Sequence, residues 1–229
     1  MKIYALHGFL GRSDDWAQID LPIQAATIKP QDTMWKWSAA FNKSVEGTKG
    51  KRILMGYSLG GRLALHALIQ HPQLWDGAIL ISTNPGQQTE MERQKRLKRD
   101  EEWAQRFEKE SWKPLITAWD QQAVFGGIAP VFQREETHYS RRELTHMLRE
   151  WSVGKQEDLT KELSSLPMPI LWIAGNRDLA YSSLAKSLAF QHNKSQTWVV
   201  SDCGHRVAWE KKDLFQTKVK EFLDDNNDN

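Results

Sequence analysis

Cysteine is nearly missing: Cys203 is the only one in 229 residues. An internal disulfide framework is therefore excluded, and the composition suits a reducing compartment. No apolar run is long enough to span a bilayer. The opening Met1 to Leu6 is apolar but too short for a secretory signal, and it runs straight into His7-Gly8. A large charge of either sign is also lacking. The formal net charge of +2 gives no electrostatic case for a nucleic-acid or membrane partner. There is no internal repeat and no low-complexity linker. These absences leave a cytoplasmic protein of one full-cored domain with an inserted lobe as the expectation. The polar, acidic stretch Asp224 to Asn229 is expected to fray.

Short apolar runs are plentiful. Lys2–Leu6, Ala25–Ile28, Ile53–Tyr57, Ala78–Ser82, Pro169–Ala174 and Thr197–Ser201 read as buried strands. Helical patterns at Met34–Ser44, Gly61–Gln70, Ser182–Gln191 and Asp213–Leu223 separate most of them. Continuous apolar strands alternating with helices predict a mostly parallel α/β sheet covered on both faces. The alternation stops between Pro85 and Pro167, where charge and tryptophan are frequent and no strand pattern occurs. Residues 1–85 and 167–229 are expected to form the core, and 86–166 a helical cap inserted over it.

Within the third run, Gly56-Tyr57-Ser58-Leu59-Gly60 fits a strand–turn–helix nucleophile elbow. So sharp a turn strains the backbone at Ser58 and leaves little room for side chains beside it, hence the glycines. GxSxG alone occurs in many unrelated chains, so context decides. A serine hydroxyl needs an imidazole to share its proton and a carboxylate to orient that imidazole. Asp178 follows the strand ending at Ala174, and His205 follows the strand ending at Ser201. The order Ser58, Asp178, His205 is that of α/β-hydrolases. Asp202 is a rival acid, although three residues before His205 it suits capping its own loop. The reaction also needs donors for a developing oxyanion. Leu59 N–H and, from the turn after the first strand, Phe9 N–H supply them. Cys203 has no base partner of its own and reads as a small core residue.

Residues Gln88 to Lys109 read as one helix. At about 100° per residue, Leu97, Trp103, Ala104 and Phe107 share a face with Arg93 and Arg96, while Lys95, Lys98 and Arg99 point away. Arginines among buried aromatics need a partner. Either they pair with an acid such as Asp100 or they await an anionic ligand. Arg62, one turn into the elbow helix, also lies within reach of a ligand carboxylate.

Together these residues resemble the α/β-hydrolase superfamily over nearly the whole chain. More narrowly they resemble the menaquinone-pathway 2-succinyl-6-hydroxy-2,4-cyclohexadiene-1-carboxylate synthase (MenH) family. That family's elbow commonly reads GYSLGGR, as residues 56–62 do. Its arginine-rich cap helix leads into a D-x-x-W-x-x-x-F pattern, matched by Asp100, Trp103 and Phe107, and a later tryptophan precedes a V-F pair, matched by Trp119, Val124 and Phe125. The resemblance implies a lyase. A base removes a ring proton, the enolpyruvyl group leaves as pyruvate, and the serine is the base, with no acyl-enzyme, metal or cofactor. It implies Ser58, Asp178 and His205 as triad, and Tyr57, Arg62, Arg96, Trp119 and Arg141 (or its neighbour Arg142) around a small substrate with several carboxylates; Arg93, on the same helix face as Arg96, joins these candidates. The chain departs from the family at Ala26 to Asp32, which replaces a D-L-P-G-H-G stretch. Two other readings share the same motifs: a carboxylesterase or carbon–carbon bond hydrolase, and a non-catalytic ligand-binding protein.

Overall fold

In the two interior strands Gly77–Ile81 and Ile170–Gly175 every residue is buried, so both faces of the sheet must be covered. The structure, a computed structural model, describes residues 1–226. Its strands are β1 (Lys2–Leu6), β2 (Ile23–Ala26), β3 (Arg52–Tyr57), β4 (Gly77–Ile81), β5 (Ile170–Gly175) and β6 (Gln196–Val200). They form one sheet in the order β2-β1-β3-β4-β5-β6, and every neighbouring pair is parallel. The edge strands β2 and β6 are only partly buried.

The helices are α1 (Met34–Val45), α2 (Leu59–Gln70), α3 (Glu90–Lys109), α4 (Trp112–Asp120), α5 (Arg141–Glu150), α6 (Thr160–Ser164), α7 (Leu179–Ser187), α8 (Val207–Glu210) and α9 (Lys212–Asp225). Strand side chains alternate between faces. Tyr4 and Leu6 pack with Trp37, Phe41 and Leu63 on one face, while Ile3 and Ala5 pack with Phe215, Val219 and Phe222 on the other. A third apolar cluster, including Leu10, Ala104, Phe107, Trp112, Leu115, Leu144 and Leu148, joins the turn after β1 to α3, α4 and α5. Between β4 and β5 there are helices α3 to α6 and no strand. Helix α3 starts where Thr89 accepts a hydrogen bond from Glu92 N while Glu92 accepts one from Thr89 N, a capping box readable as T-x-x-E. No helix among the described residues is long and apolar enough to cross a membrane.

Several boundaries shift by one to four residues from the sequence expectation, three of them as follows. β2 ends two residues earlier than Ile28, because its ladder partner β1 ends at Leu6, opposite Ala26. Past that point Ile28 N donates to His7 Nε2 at 3.4 Å. Helix α7 begins at Leu179 rather than Ser182, since Asp178 caps it and accepts a hydrogen bond from Tyr181 N. Asp224 and Asp225 continue α9 instead of fraying; the last three residues of that stretch, 227–229, lie outside the described residues. The glycine-free segment 26–32 is fixed by side chains instead, with Gln31 O accepting from Trp151 Nε1 at 3.1 Å and bonded to His146 Nε2 at 3.0 Å.

Candidate active site

Ser58 stands between the carboxyl end of β3 and the first residue of α2, with φ 53° and ψ −113°. A non-glycine residue adopts such angles only when its surroundings impose them. Here Ser58 N donates to Ile81 O on the neighbouring strand at 2.9 Å. A Cβ on Gly60 would sit 2.3 Å from Leu6 O, and one on Gly56 would sit 2.6 Å from Gly61 Cα. The two glycines are required by these close approaches. Although Ser58 is the N-cap residue of α2, its hydroxyl caps nothing, which leaves Oγ for chemistry.

That oxygen lies 2.9 Å from His205 Nε2. His205 Nδ1 is 2.6 Å from Asp178 Oδ2, so an Nδ1–H donating to the carboxylate leaves Nε2 to accept the serine proton. Asp178 is fully buried and His205 only 5 % exposed. Tyr181, Tyr57 and Phe125 surround the imidazole, with ring centroids 4.8, 5.4 and 5.9 Å away. The turn after β1 packs against the elbow, since a Cβ on Gly8 would meet Ser58 Cβ at 3.3 Å. Neither Phe9 N–H nor Leu59 N–H donates a hydrogen bond among the described residues. Both belong to residues lining the pocket above Ser58.

The same pocket is lined by Tyr57 and Arg62 from the core and by Arg96, Trp103, Trp119 and Trp151 from the helices between β4 and β5. Arg62 is 5 % exposed. Its Nε donates to the neutral Gln156 Oε1 at 2.6 Å and its Nη2 lies 3.4 Å from Met34 Sδ. No carboxylate partners it among the described residues. Burial, reinforced by the nearby Arg96 charge, drags its pKa well below the ordinary guanidinium range, to about 9. Arg96 differs: its Nε bonds both Asp100 oxygens, at 2.8 and 2.9 Å. Burial opposes the Arg96 charge, yet the Asp100 carboxylate and Tyr181 leave its pKa above the ordinary value. Asp100 also accepts from Ser152 Oγ at 2.6 Å. Among the described residues no group of three or more His, Cys, Asp or Glu is placed to hold a metal ion.

The alpha/beta hydrolase fold model matches residues 3–212. The chain is 31 % identical to the 2-succinyl-6-hydroxy-2,4-cyclohexadiene-1-carboxylate synthase of Photorhabdus laumondii, over 95 % of this chain and 84 % of that protein. It is equally 31 % identical to the protein of that name from Pectobacterium atrosepticum, over 96 % and 93 %. The chain belongs to the 2-succinyl-6-hydroxy-2,4-cyclohexadiene-1-carboxylate synthase family of the α/β-hydrolase fold. Among solved structures, MenH from S. aureus superposes with a TM-score of 0.88 at 22 % identity, covering 100 % of this chain and 95 % of that one. A thermophilic esterase from Thermogutta terrifontis gives 0.70 at 18 %, over 99 % and 90 %.

Several residues expected at this synthase-family pocket are elsewhere. Arg93 is not among its lining residues. A Cβ on Gly154 would lie 2.6 Å from Arg93 O, so the 152–156 turn packs directly on α3, and Arg93 Nε donates to Gly154 O at 3.3 Å. Arg141 is also absent from the pocket. Its Nη1 donates to Phe107 O and Glu110 O at 2.5 and 2.9 Å, because carbonyls at the end of α3 lack helical partners and attract a cation. Arg142 is exposed. Conversely Arg99, expected to point away, lines the pocket. Three residues on from Arg96 it is rotated only about 60° around the helix. Asp202 is turned to solvent and pairs with Arg177 at 3.0 Å rather than capping its loop.

The histidine loop has supports that no sequence motif signals. Glu210 Oε2 accepts from Gly204 N at 2.5 Å, and its Oε1 accepts from Arg206 N at 3.0 Å. Cys203 Sγ donates to Glu210 Oε2 at 3.3 Å; burial raises the thiol pKa, so it stays a neutral core group. Arg206 pairs with Asp120 at the end of α4 and lies over the Phe125 ring at 3.7 Å. Arg134 grips Asp15 with two 2.8 Å hydrogen bonds. Both ion pairs tie the segment between β4 and β5 to the rest of the fold.

Proposed function

We propose that this chain is a carbon–oxygen lyase of menaquinone biosynthesis, with Ser58 as base. It converts 2-succinyl-5-enolpyruvyl-6-hydroxy-3-cyclohexene-1-carboxylate into 2-succinyl-6-hydroxy-2,4-cyclohexadiene-1-carboxylate and pyruvate. The observation that carries the reading is a triad serine and the carboxylate-free, buried Arg62 opening into one pocket. A desolvated guanidinium without an acid is expensive, and a substrate carboxylate offsets that cost through charge-assisted hydrogen bonds. The names of the family members supply the product.

The bookkeeping of the reaction follows from the two ring systems. Moving the 3-ene to a 2,4-diene while the 5-substituent leaves requires removal of the proton on C2, which is acidified by the succinyl ketone. His205 Nε2 takes the Ser58 proton, Asp178 holds the resulting imidazolium, and Oγ abstracts the C2 proton. The electron pair forms C2=C3, the former ring double bond becomes C4=C5, and the C5–O bond breaks. The departing enolpyruvate takes up a proton and tautomerises to pyruvate. Negative charge develops on the ketone oxygen, where Phe9 N–H and Leu59 N–H receive it. Tyr57 and Trp119 shape the apolar walls. Residues 86–166 act as a cap that excludes water from the enolate.

Pyruvate release, coupled to NADH oxidation by lactate dehydrogenase, tests this. Ser58→Ala, His205→Ala and Asp178→Asn should each lose about 10³-fold or more in kcat, non-additively. Wild-type turnover by Ser58→Ala would sink the assignment of the base. Faster cleavage of simple aryl esters than pyruvate release would make the protein an esterase.

A further inference from the structure

Three guanidinium groups line one pocket, and only one of them has an acid. Arg62 rests on a neutral amide, Arg96 on Asp100, and Arg99 on another neutral amide: its Nη2 donates to Gln122 Oε1 at 2.5 Å. No carboxylate pairs with Arg99 among the described residues. It is exposed, whereas Arg62 is buried, so the two cations stand at the outer and inner parts of the same space. On α3, Arg99 is about 4.5 Å along the axis from Arg96. Gln122 is itself held by α4, with Nε2 donating to Trp119 O at 3.1 Å. The Arg99–Gln122 contact thus joins α3 to the end of α4 at the pocket mouth, through an acceptor that a carboxylate readily replaces.

We propose that Arg99 is the outer carboxylate-binding residue of this pocket and selects for polyanionic substrates by exchanging Gln122 Oε1 for a substrate carboxylate oxygen. This rests on the lyase reading for the substrate's identity: that molecule carries three carboxylates and its product two, more than Arg62 alone can take while Arg96 is held by Asp100. Being exposed, Arg99 acts through a field that salt screens, so it sets capture more than chemistry. Its loss should appear in KM and in the salt dependence of kcat/KM, with kcat nearly constant. Gln122→Glu should give Arg99 a carboxylate of its own and thereby close the site to substrate without weakening the link between the two helices.

The test measures pyruvate release at about 25 and 300 mM salt for wild type, Arg99→Ala, Arg99→Lys, Gln122→Glu and the charge-matched control Lys98→Ala. Binding of the dicarboxylate product is measured alongside, through tryptophan fluorescence. Expected are an approximately tenfold rise in KM for Arg99→Ala, partial recovery in Arg99→Lys, a flattened salt response, and wild-type behaviour for Lys98→Ala. Gln122→Glu should match Arg99→Ala in KM while keeping or raising Tm. Arg99→Ala with wild-type KM and salt response, or Gln122→Glu with wild-type KM, overturns the proposal. If wild type binds product but releases no pyruvate, the lyase reading fails by itself. A tenfold weaker product Kd in Arg99→Ala would then still support the role of Arg99, and an equal Kd would overturn it.

Discussion

Replacing Arg62 by methionine should make the protein more stable and far less active. At pH 7 the guanidinium is charged in both folded and unfolded chains, because about 9 in the fold and the still higher ordinary value both lie above 7. The folded state therefore carries the full difference in proton affinity, about 5 kcal/mol at about 1.4 kcal/mol per tenfold. Against this, Arg62→Met loses the 2.6 Å bond to Gln156, about 2 kcal/mol for a charged donor, and leaves Gln156 Oε1 short of a donor, about 1 kcal/mol. Gln156 keeps its other contact, Nε2 to Asn84 O at 3.1 Å. The net gain is about 2 kcal/mol, roughly 4–8 °C in Tm for a chain of this size. Thermal melts without ligand measure the first half and kcat/KM for pyruvate release the second, where a loss of about 10²-fold or more is expected. A variant that melts below wild type, or that keeps its kcat/KM, refutes the reasoning. The first outcome would mean the buried charge is stabilised by its surroundings, and the second that no carboxylate reaches it. Functional residues that oppose stability are expected where a ligand supplies the missing partner.

Arg96→Ala should instead lower both activity and stability, since it strips Asp100, with a side chain 5 % exposed, of its guanidinium and leaves it Ser152 alone. The expected loss is about 2 kcal/mol by denaturant melts, below that of a fully buried pair because the Arg96 side chain is about a third exposed; a melting curve unchanged from wild type would show the pair to be idle. Stability should also fall with acid. Burial holds the His66 pKa down from 6.5 to about 4, so the unfolded chain binds the extra proton first. The contribution is complete above pH 6.5, declines towards pH 4, and amounts to about 3 kcal/mol. His7, lowered by burial as well, adds in the same direction. Urea unfolding at pH 7.5 and 4.5 should show this slope reduced in His66→Gln, and an identical slope in both proteins would refute it.

The elements that were legible are those whose signal is local. Strand runs, glycines at 56 and 60 and the loops delivering Asp178 and His205 are each written within a few residues, because period-2 burial, steric crowding at a turn and strand-end position are short-range constraints. The thread from Ser58 to His205 to Asp178 could be ordered from the sequence for the same reason. The arginines of α3 and α5 are harder to place. A helical wheel separates opposite faces but not positions about 60° apart, so it places Arg99 in solvent and Arg93 in the pocket. What moved Arg93 and Arg141 was competition from backbone carbonyls, of Gly154 and of the end of α3, and those acceptors exist only once helices pack.

The sequence by itself determined a parallel sheet with a strained serine at the end of its third strand, an acid and a histidine behind later strands, and an arginine-rich helix. The tertiary structure alone decided which cations keep an acid and which do not. Asp120 goes to Arg206 and Asp15 to Arg134, while Arg62 and Arg99 are left on the amides of Gln156 and Gln122. The reason is physical: charge pairing acts across space between segments up to 119 positions apart, and composition or periodicity along a chain carries no record of those distances.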